Sequence, residues 1–401
     1  MSVVTPAAAG AVEQLLALGH PGRHPASAVA GVRTAAGADV AAGGWARLPA
    51  AGLPGTPMTA QMLVDLASVT KVAATTTLIM RLVADGQLRL EAQAHRFLPS
   101  FAGGGRDDVT VEHLLTHTAG LPPWWPLYCG GTGDDTGRDA ALDRAQSLPL
   151  ASRPGTGRRY SDLGLILAGR IVERVTTLGL ADAFRQLVAE PLGLAARYGP
   201  VPAARAAASA DSDAYEYGML ATGQPYPVPF TPDDFRGWRN RPLRGEVHDG
   251  NAAHALGGVA GHAGLFATAG DLLRLGTALR GGDFIPAPVL ARFALPVQAH
   301  PEQAVGFRRT RVQAGDGALT LLYHDGFTGT YFAFALEEEL VVAGGAMRLY
   351  GTLGPLPAAG QHPGVTRLIA APGIQSVLLG AALRAARQAS ASTPVTPAEE
   401  L

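Results

Sequence analysis

The stretch DLASVTKVAATTTLIMRLVADG, residues 65–86, contains Lys71, the only lysine among 401 residues, three positions after Ser68. Apart from Lys71, every residue in the combined count of lysine and arginine is arginine. A partly buried lysine can release its proton, whereas arginine stays charged. In a helix, residues i and i+3 share a face, so Lys71 can point its amine at the Ser68 hydroxyl. The apolar spacing predicts a helix that ends near Asp85 and Gly86, with Ser68 in its first turn.

A second candidate side chain precedes another predicted helix. Tyr160 lies in RYSDLG, residues 159–164, which opens the amphipathic segment SDLGLILAGRIVERV. Ser161 or Asp162 is a plausible N-cap for that helix. The Tyr160 hydroxyl is therefore expected to be presented from the loop before the helix, where it can exchange a proton.

A third segment, YHDGFTGT at residues 323–330, lies between two strand-like stretches and contains His324 and Gly326. Glycine has no side chain, so a substrate backbone can lie close to this part of the strand.

These three motifs, in this order, resemble those of the serine hydrolases related to class C β-lactamases, low-molecular-mass penicillin-binding proteins and family VIII esterases. The resemblance covers about residues 60–335. It rests on Ser-x-x-Lys, Tyr-Ser-Asp and His-x-Gly, and on the stretches DLASVTKVAATT, VEHLLTHTAGLP, YSDLGLILAGRIVE, GEVHDGNAAHALGGVAGHAGLFATAGDLLR and HDGFTGT. Three ordered motifs are far more specific than one.

The resemblance implies an acyl-enzyme mechanism without metal or cofactor. Ser68 would attack a carbonyl carbon, while Lys71 and Tyr160 would move its proton to the leaving group. The backbone N–H groups of Ser68 and Phe327 would hold the oxyanion. His324 stands where many β-lactamases carry lysine, and it would orient Tyr160 or meet a substrate carboxylate. A partly cationic histidine there favours an esterase or peptidase over an efficient β-lactamase.

Asp162 departs from the family pattern, which has asparagine at this position. If Asp162 faces Lys71, it keeps the amine protonated and shifts the role of base toward Tyr160. The alternative is drift without function, because asparagine is scarce in the whole chain. A second parse of the motif as Ser-Asp-Asn fails, because Leu163 stands at the position of the asparagine.

The predicted fold class is α/β, of the α+β type, with an antiparallel sheet flanked by helices. Predicted elements near the N-terminus are a helix at 8–18 and strands at 28–34 and 40–47. Four strand-like stretches, GFRRTRVQ, GALTLLYHD, TYFAFALE and ELVVAGGA, come late, followed by a helix near 374–388. We therefore predict one α/β domain from both chain ends, residues 1–75 and 255–390. A mainly helical domain at 76–254 is inserted, and 391–401 form a disordered tail.

The composition and net charge of the chain exclude some classes of binding partner. A net charge of −1 provides no field for nucleic acid or an anionic membrane. The expected partner is a small-molecule or short-peptide substrate. The sequence gives no indication of the oligomeric state. The N-terminus has no basic segment before an apolar one, so a cytoplasmic location is expected, with no transmembrane helix. Cys129, the single cysteine, forms no internal disulfide.

Other candidates are weaker. Trp124 and Trp125, in a Pro-rich loop, either line an acyl pocket or simply pack that loop. The spacing of His248, His254 and His262 matches no common metal-ligand pattern, so no metal site is predicted.

Three functions remain open. The first is a serine hydrolase that cleaves a small ester or amide through an acyl-Ser68 intermediate. The second is a D-Ala-D-Ala carboxypeptidase, a penicillin-binding protein or a D-specific aminopeptidase. The third is a non-catalytic binding protein on the same fold, which the intact set of Ser68, Lys71 and Tyr160 disfavours.

Overall fold

The first three strands of the chain form one edge of a large sheet. The computed structural model describes residues 6–19, 23–50, 52–131, 137–315, 317–358 and 368–392. The first elements are α1 (Ala7–Ala17), β1 (Ser27–Thr34), β2 (Gly37–Arg47), β3 (Thr56–Pro57) and β4 (Val64–Asp65). The predicted helix and both predicted strands are thus confirmed, and the turn between the strands is shorter than expected.

The middle of the chain contributes mainly short helices. They are α2 (Thr77–Ala84), α3 (Val111–Leu115), α4 (Arg138–Ser147), α5 (Asp162–Thr176), α6 (Leu180–Phe184) and α7 (Ala214–Thr222). Strands β5 (Arg197–Tyr198), β6 (Ala208–Ala210) and β7 (Leu243–Arg244) lie among them. The α3 helix ends at Leu115, and His117 adopts a left-handed φ of 59° just after it.

The C-terminal third completes the sheet. It contains β8 (Leu265–Ala267), α8 (Ala269–Gly281), α9 (Ala287–Ala294), β9 (Arg308–Ala314), β10 (Gly317–Asp325), β11 (Thr330–Ala335), β12 (Val341–Ala346) and α10 (Ala371–Ser392). All four predicted late strands are confirmed. The terminal helix is longer than predicted and includes residues 391 and 392, which were expected in the tail. The rest of that tail lies outside the described residues.

The seven strands of the main sheet follow the order β3-β2-β1-β12-β11-β10-β9, and each neighbouring pair is antiparallel. The two chain ends meet where β1 pairs with β12, with Ala30 opposite Gly344. The predicted α+β class, with an antiparallel sheet built from both ends of the chain, is confirmed. The predicted domain boundaries stay a prediction.

Both faces of the sheet are covered because side chains alternate along its strands. Val29 packs into the larger core with Leu273 of α8, whereas Ala28 and Ala30 face the opposite core. That second core contains Leu15 of α1 and Leu378 of α10. The sheet thus lies between α8 on one side and α1 with α10 on the other.

One helical stretch, Ala67–Ala84, has the length and apolar composition of a membrane span. In the structure 78% of that stretch is buried inside the protein, as in a core helix. Its apolar side chains are therefore explained by the core that holds Ser68 and Lys71.

Candidate active site

Ser68 lies on a strained turn. It belongs to the 3₁₀ turn Ala67–Val69, and Ala67 has a φ of +45°, which costs a residue with a side chain about 1–3 kcal/mol. The Asp65 carboxylate holds this turn by accepting hydrogen bonds from the N–H groups of Ala67 (2.9 Å) and His248 (2.8 Å). Such strain is found where a fold must present one side chain in a fixed position.

The helix predicted after Ser68 is irregular at its start. Residues Lys71–Thr76 form a π-helical segment before the α-helix begins at Thr77. The Thr77 hydroxyl donates to the Val72 carbonyl at 2.8 Å, and the Thr75 hydroxyl donates to the Gly261 carbonyl at 2.7 Å. The widened turn ties the helix to the 261–262 loop, and such turns are frequent at functional sites.

Lys71 is fully buried and makes several polar contacts through its Nζ atom. It donates to Ser68 Oγ at 2.7 Å and to the His262 carbonyl at 3.2 Å, and it pairs with Asp162 Oδ1 at 2.8 Å. Burial lowers the pKa of Lys71, but the charge of Asp162, together with the contribution of Tyr160 and hydrogen bonds to both residues, outweighs burial and leaves that pKa above its ordinary value. The resting site therefore holds an ammonium group against Ser68.

Tyr160 lies directly above this pair, in the loop before α5. Its ring centroid is 5.2 Å from Lys71 Nζ and 4.5 Å from the His117 ring. The backbone N–H of Ser161 donates to His117 Nδ1 at 3.1 Å, so His117 fixes the loop that carries Tyr160. Burial raises the pKa of Tyr160, although Lys71 opposes this effect. The phenol is thus neutral in the resting site.

The segment 324–330 forms the opposite wall. His324 Nδ1 is 2.8 Å from the Asp325 carbonyl, and its ring centroid is 6.0 Å from that of Tyr160. Burial, followed by the charge of Lys71, lowers the pKa of His324 well below its ordinary value. The hydroxyls of Thr328 and Thr330 donate to the carbonyls of Asp65 and Leu66, both at 2.8 Å. This wall is therefore bound directly to the turn that carries Ser68.

The two N–H groups expected to hold an oxyanion are free to donate, as far as the described part of the chain is concerned. Within the described residues, neither the Ser68 nor the Phe327 backbone N–H donates to a protein atom. Arg348 fixes the Phe327 peptide, since its Nε donates to the Phe327 carbonyl at 2.7 Å and its guanidinium lies 4.8 Å from the ring centroid. The arrangement is suited to a carbonyl oxygen that gains negative charge.

Gly326 is needed for this close approach. A Cβ at this position would lie well inside van der Waals contact with Thr330 Oγ1 and the Leu66 carbonyl. We expect Gly326→Ala to lower the free energy of unfolding by about 1–3 kcal/mol and to slow acylation, because the wall must move away from Ser68. Urea unfolding measures the first effect, and the rate at which a fluorophosphonate probe labels the protein measures the second. Gly281→Ala, where an added Cβ meets nothing within 4 Å, is the control and should change neither.

A cavity of about 390 Å³ opens beside Ser68. Trp124 lines it, whereas Trp125 does not; the Trp125 ring packs edge-on against Phe230, and its carbonyl accepts a hydrogen bond from Asn251. Asp249 and Asp325, which lie inside the quoted stretches but were not singled out, also line it, as do residues that no sequence motif indicated, namely Tyr215, Glu216, Met219, Tyr226, Arg308 and Arg348. These residues come from α7, the strands β9 and β10 and several loops, which meet only in the folded chain.

Two carboxylates lie at one end of the cavity. Glu216 accepts hydrogen bonds from the Tyr128 hydroxyl (2.9 Å) and the Gly250 N–H (2.7 Å). Burial, followed by the charge of Asp249, raises the pKa of Glu216 to about 8. Asp249 accepts a hydrogen bond from His262 Nε2 at 2.8 Å. Among the described residues no group of three His, Cys, Asp or Glu side chains could hold a metal ion.

The geometry agrees with what a comparison of families finds. A family model described as Beta-lactamase matches residues 12–353. The chain belongs to the beta-lactamase family. Ser68, Lys71, Tyr160 and His324 all lie inside the segment that matches this beta-lactamase family model.

Among curated relatives, this beta-lactamase family chain is similar to hydrolases of several names. It is 30% identical over 300 residues to an N-acetylmuramyl-L-alanine amidase of Bacillus subtilis (strain 168), covering 68% of this chain and 65% of the relative. It is 43% identical over 155 residues to Esterase EstB of Burkholderia gladioli, covering 35% and 39%. A putative D-alanyl-D-alanine carboxypeptidase of Escherichia coli (strain K12) is 30% identical over 238 residues, covering 55% and 52%. The chain thus spans between 39% and 65% of the length of these relatives.

Solved structures share the fold of this family member. A penicillin-binding protein homologue from Caulobacter crescentus has a TM-score of 0.62 at 23% identity and covers 87% of this chain and 95% of its own. A family VIII carboxylesterase also has a TM-score of 0.62, at 18% identity, with coverage of 95% and 99%. At these identities the similarity is one of fold.

Proposed function

We propose that this protein is a serine hydrolase that cleaves a small ester or amide through an acyl-Ser68 intermediate. The observation that carries the proposal is the 2.7 Å contact between Lys71 Nζ and Ser68 Oγ, within a buried site that also holds Tyr160. A lone surface serine has no such partner, and a serine nucleophile needs one to become reactive. The relatives named as an amidase, an esterase and a carboxypeptidase support the same class of reaction.

In the proposed acylation, Ser68 Oγ forms a bond to the substrate carbonyl carbon. Its proton passes to the Tyr160 oxygen while Tyr160 gives its own proton to the leaving oxygen or nitrogen, so no free phenolate is required. The Lys71 ammonium stabilises the negative charge that develops on Oγ. The N–H groups of Ser68 and Phe327 hold the oxyanion, typically worth about 2.7–4 kcal/mol for each donor. Water then attacks the acyl carbon, and the same relay runs in reverse.

The ester is the preferred substrate in this proposal. His324 stands on the wall where a cation would bind a substrate carboxylate, yet its lowered pKa keeps it neutral. The segment similar to Esterase EstB has the highest identity of the three relatives described. A D-Ala-D-Ala carboxypeptidase is the second candidate, favoured by the putative carboxypeptidase of Escherichia coli.

Hydrolysis of p-nitrophenyl butyrate, compared with release of D-alanine from an N-acyl-D-Ala-D-Ala peptide, separates the two candidates. Turnover of the ester alone supports the first, and turnover of the peptide supports the second.

We further propose a small-molecule or short-peptide substrate and a cytoplasmic site of action. The net charge of −1 fits a small substrate, and the free, buried Cys129 fits a reducing compartment such as the cytoplasm.

Asp162→Asn is expected to change the pH dependence of the reaction. The Asp162 carboxylate holds the pKa of Lys71 above its ordinary value, whereas burial alone lowers it. With asparagine, Lys71 loses its proton at lower pH, and the ammonium group that stabilises Ser68 Oγ is lost with it. The basic limb of kcat/KM against pH should therefore move to lower pH, measured with p-nitrophenyl butyrate across pH 4–10. An unchanged limb would mean that Asp162 does not tune Lys71.

A further inference from the structure

We propose that Asp325 makes this site selective for neutral substrates by pairing with Arg308 and presenting its own carboxylate to the cavity. The inference rests on the proposed hydrolase function and adds a substrate class, namely esters and amides without a carboxylate near the scissile bond. Asp325 then acts as a specificity-determining residue.

The pair lies on the wall that faces Tyr160. Arg308 Nη1 is 2.9 Å from Asp325 Oδ1, and both residues line the cavity. The Arg308 guanidinium is also 5.9 Å from the centroid of the Tyr160 ring. Arg308 begins β9 and is paired in register with Tyr323, while Asp325 ends β10 two residues later. The arginine nearest this part of the cavity is thus already neutralised by the protein.

His324 adds an acceptor to the same wall. A carbonyl oxygen only accepts hydrogen bonds, so His324 Nδ1 must carry the proton that it shares with the Asp325 carbonyl at 2.8 Å. In the neutral ring Nε2 is then an unprotonated acceptor. It is buried and has no partner among the described residues. The wall therefore presents a neutral imidazole ring, and no cation, to a substrate carboxylate.

The other arginine of the cavity is engaged by backbone. Arg348 is 9% exposed, and its Nε and Nη1 donate to the carbonyls of Phe327 (2.7 Å) and Ile369 (2.9 Å). Asp249 also lines the cavity and adds negative charge to it, whereas Asp162 is paired with Lys71, and Glu216, with its pKa raised to about 8, is mostly protonated at neutral pH. A substrate carboxylate near Asp325 and Asp249 would meet like charges, which disfavours its binding when it is partly removed from water.

Two pairs of esters test the proposal, each pair differing in a single carboxylate. In the acyl half, p-nitrophenyl methyl succinate is compared with p-nitrophenyl hemisuccinate. In the leaving half, the butyrate ester of 3-hydroxybenzamide is compared with that of 3-hydroxybenzoate. We expect the wild type to prefer the neutral member of at least one pair by about tenfold or more in kcat/KM, which corresponds to about 1.4 kcal/mol.

Variants assign the preference to the residue. Asp325→Asn, or Asp325→Ser if the first does not fold, should reduce the preference at least fivefold, because Arg308 becomes free to bind a carboxylate. Adding Arg308→Gln to this variant should remove the gain in activity toward the carboxylate-bearing ester. Glu339→Gln breaks a comparable surface pair with Arg33 (3.0 Å) outside the cavity and should leave the preference unchanged.

A failure of the proposed role of Asp325 can be distinguished from a failure of the proposed hydrolase function. Equal turnover of both members of each pair by the wild type, or a preference that Asp325→Asn does not reduce, would overturn the role of Asp325 and leave the hydrolase function standing. No turnover of any of the four esters would instead contradict the proposed function itself.

Discussion

Ser68→Ala is expected to lower kcat/KM for p-nitrophenyl butyrate by about 10⁴-fold or more, because it removes the nucleophile of the acyl-enzyme route. The Ser68 hydroxyl is half-buried beside the cavity and accepts from Lys71 Nζ at 2.7 Å, so little folding energy depends on it. The variant should therefore keep the urea midpoint of the wild type within a small margin while its activity vanishes. Steady-state hydrolysis and urea unfolding give the two quantities.

A matched serine outside the site provides the control. The Ser209 hydroxyl is also buried and donates to the Leu243 carbonyl at 3.3 Å, away from the cavity lining. Ser209→Ala should retain esterase activity. If Ser68→Ala retained activity as well, the nucleophile would have to be another group.

Lys71→Arg is expected to lower kcat/KM by about 10²-fold, because a misplaced cation no longer stabilises the negative charge that develops on Ser68 Oγ. The substitution keeps the positive charge beside Asp162, but the planar guanidinium is larger than the compact ammonium group. Lys71 is completely buried, so the longer side chain also displaces the 2.7 Å contact with Ser68 Oγ. Hydrolysis rates of p-nitrophenyl butyrate measure the loss.

Chemical rescue separates chemistry from packing. Lys71→Ala removes the side chain and leaves space for a small primary amine in the same position. Methylamine at rising concentration should restore part of the activity of Lys71→Ala and none of that of Ser68→Ala. Absence of rescue together with a wild-type urea midpoint would contradict a role for the amine in the reaction.

Local sequence patterns predicted the elements that bring the site together. The stretch GALTLLYHD became β10 residue for residue, because its apolar side chains alternate and turn residues bound it on both sides. The spacing of Ser68 and Lys71 predicted their contact, since both are on one turn of helix. The left-handed Ala67 and the π-helical start at Lys71 were not predictable, because they depend on Asp65 and on the distant Gly261 carbonyl.

The cavity lining was the part that sequence patterns missed. Glu216 lies on α7 between two tyrosines, and nothing in that local pattern distinguishes it from a solvent-facing acid. Its place beside Asp249 follows from long-range packing of α7 against the loop that contains Gly250. Arg308 and Asp325 likewise meet across neighbouring strands, and only the register of β9 on β10 brings them within 2.9 Å.

The central claim, an acyl-enzyme on Ser68, is tested most directly by intact mass spectrometry after reaction with a fluorophosphonate probe, followed by peptide mapping. We predict one adduct per chain, located on Ser68, formed rapidly in the wild type and absent from Ser68→Ala. A wild type that stays unlabelled while it hydrolyses p-nitrophenyl butyrate, or an adduct on a different residue, would contradict the account.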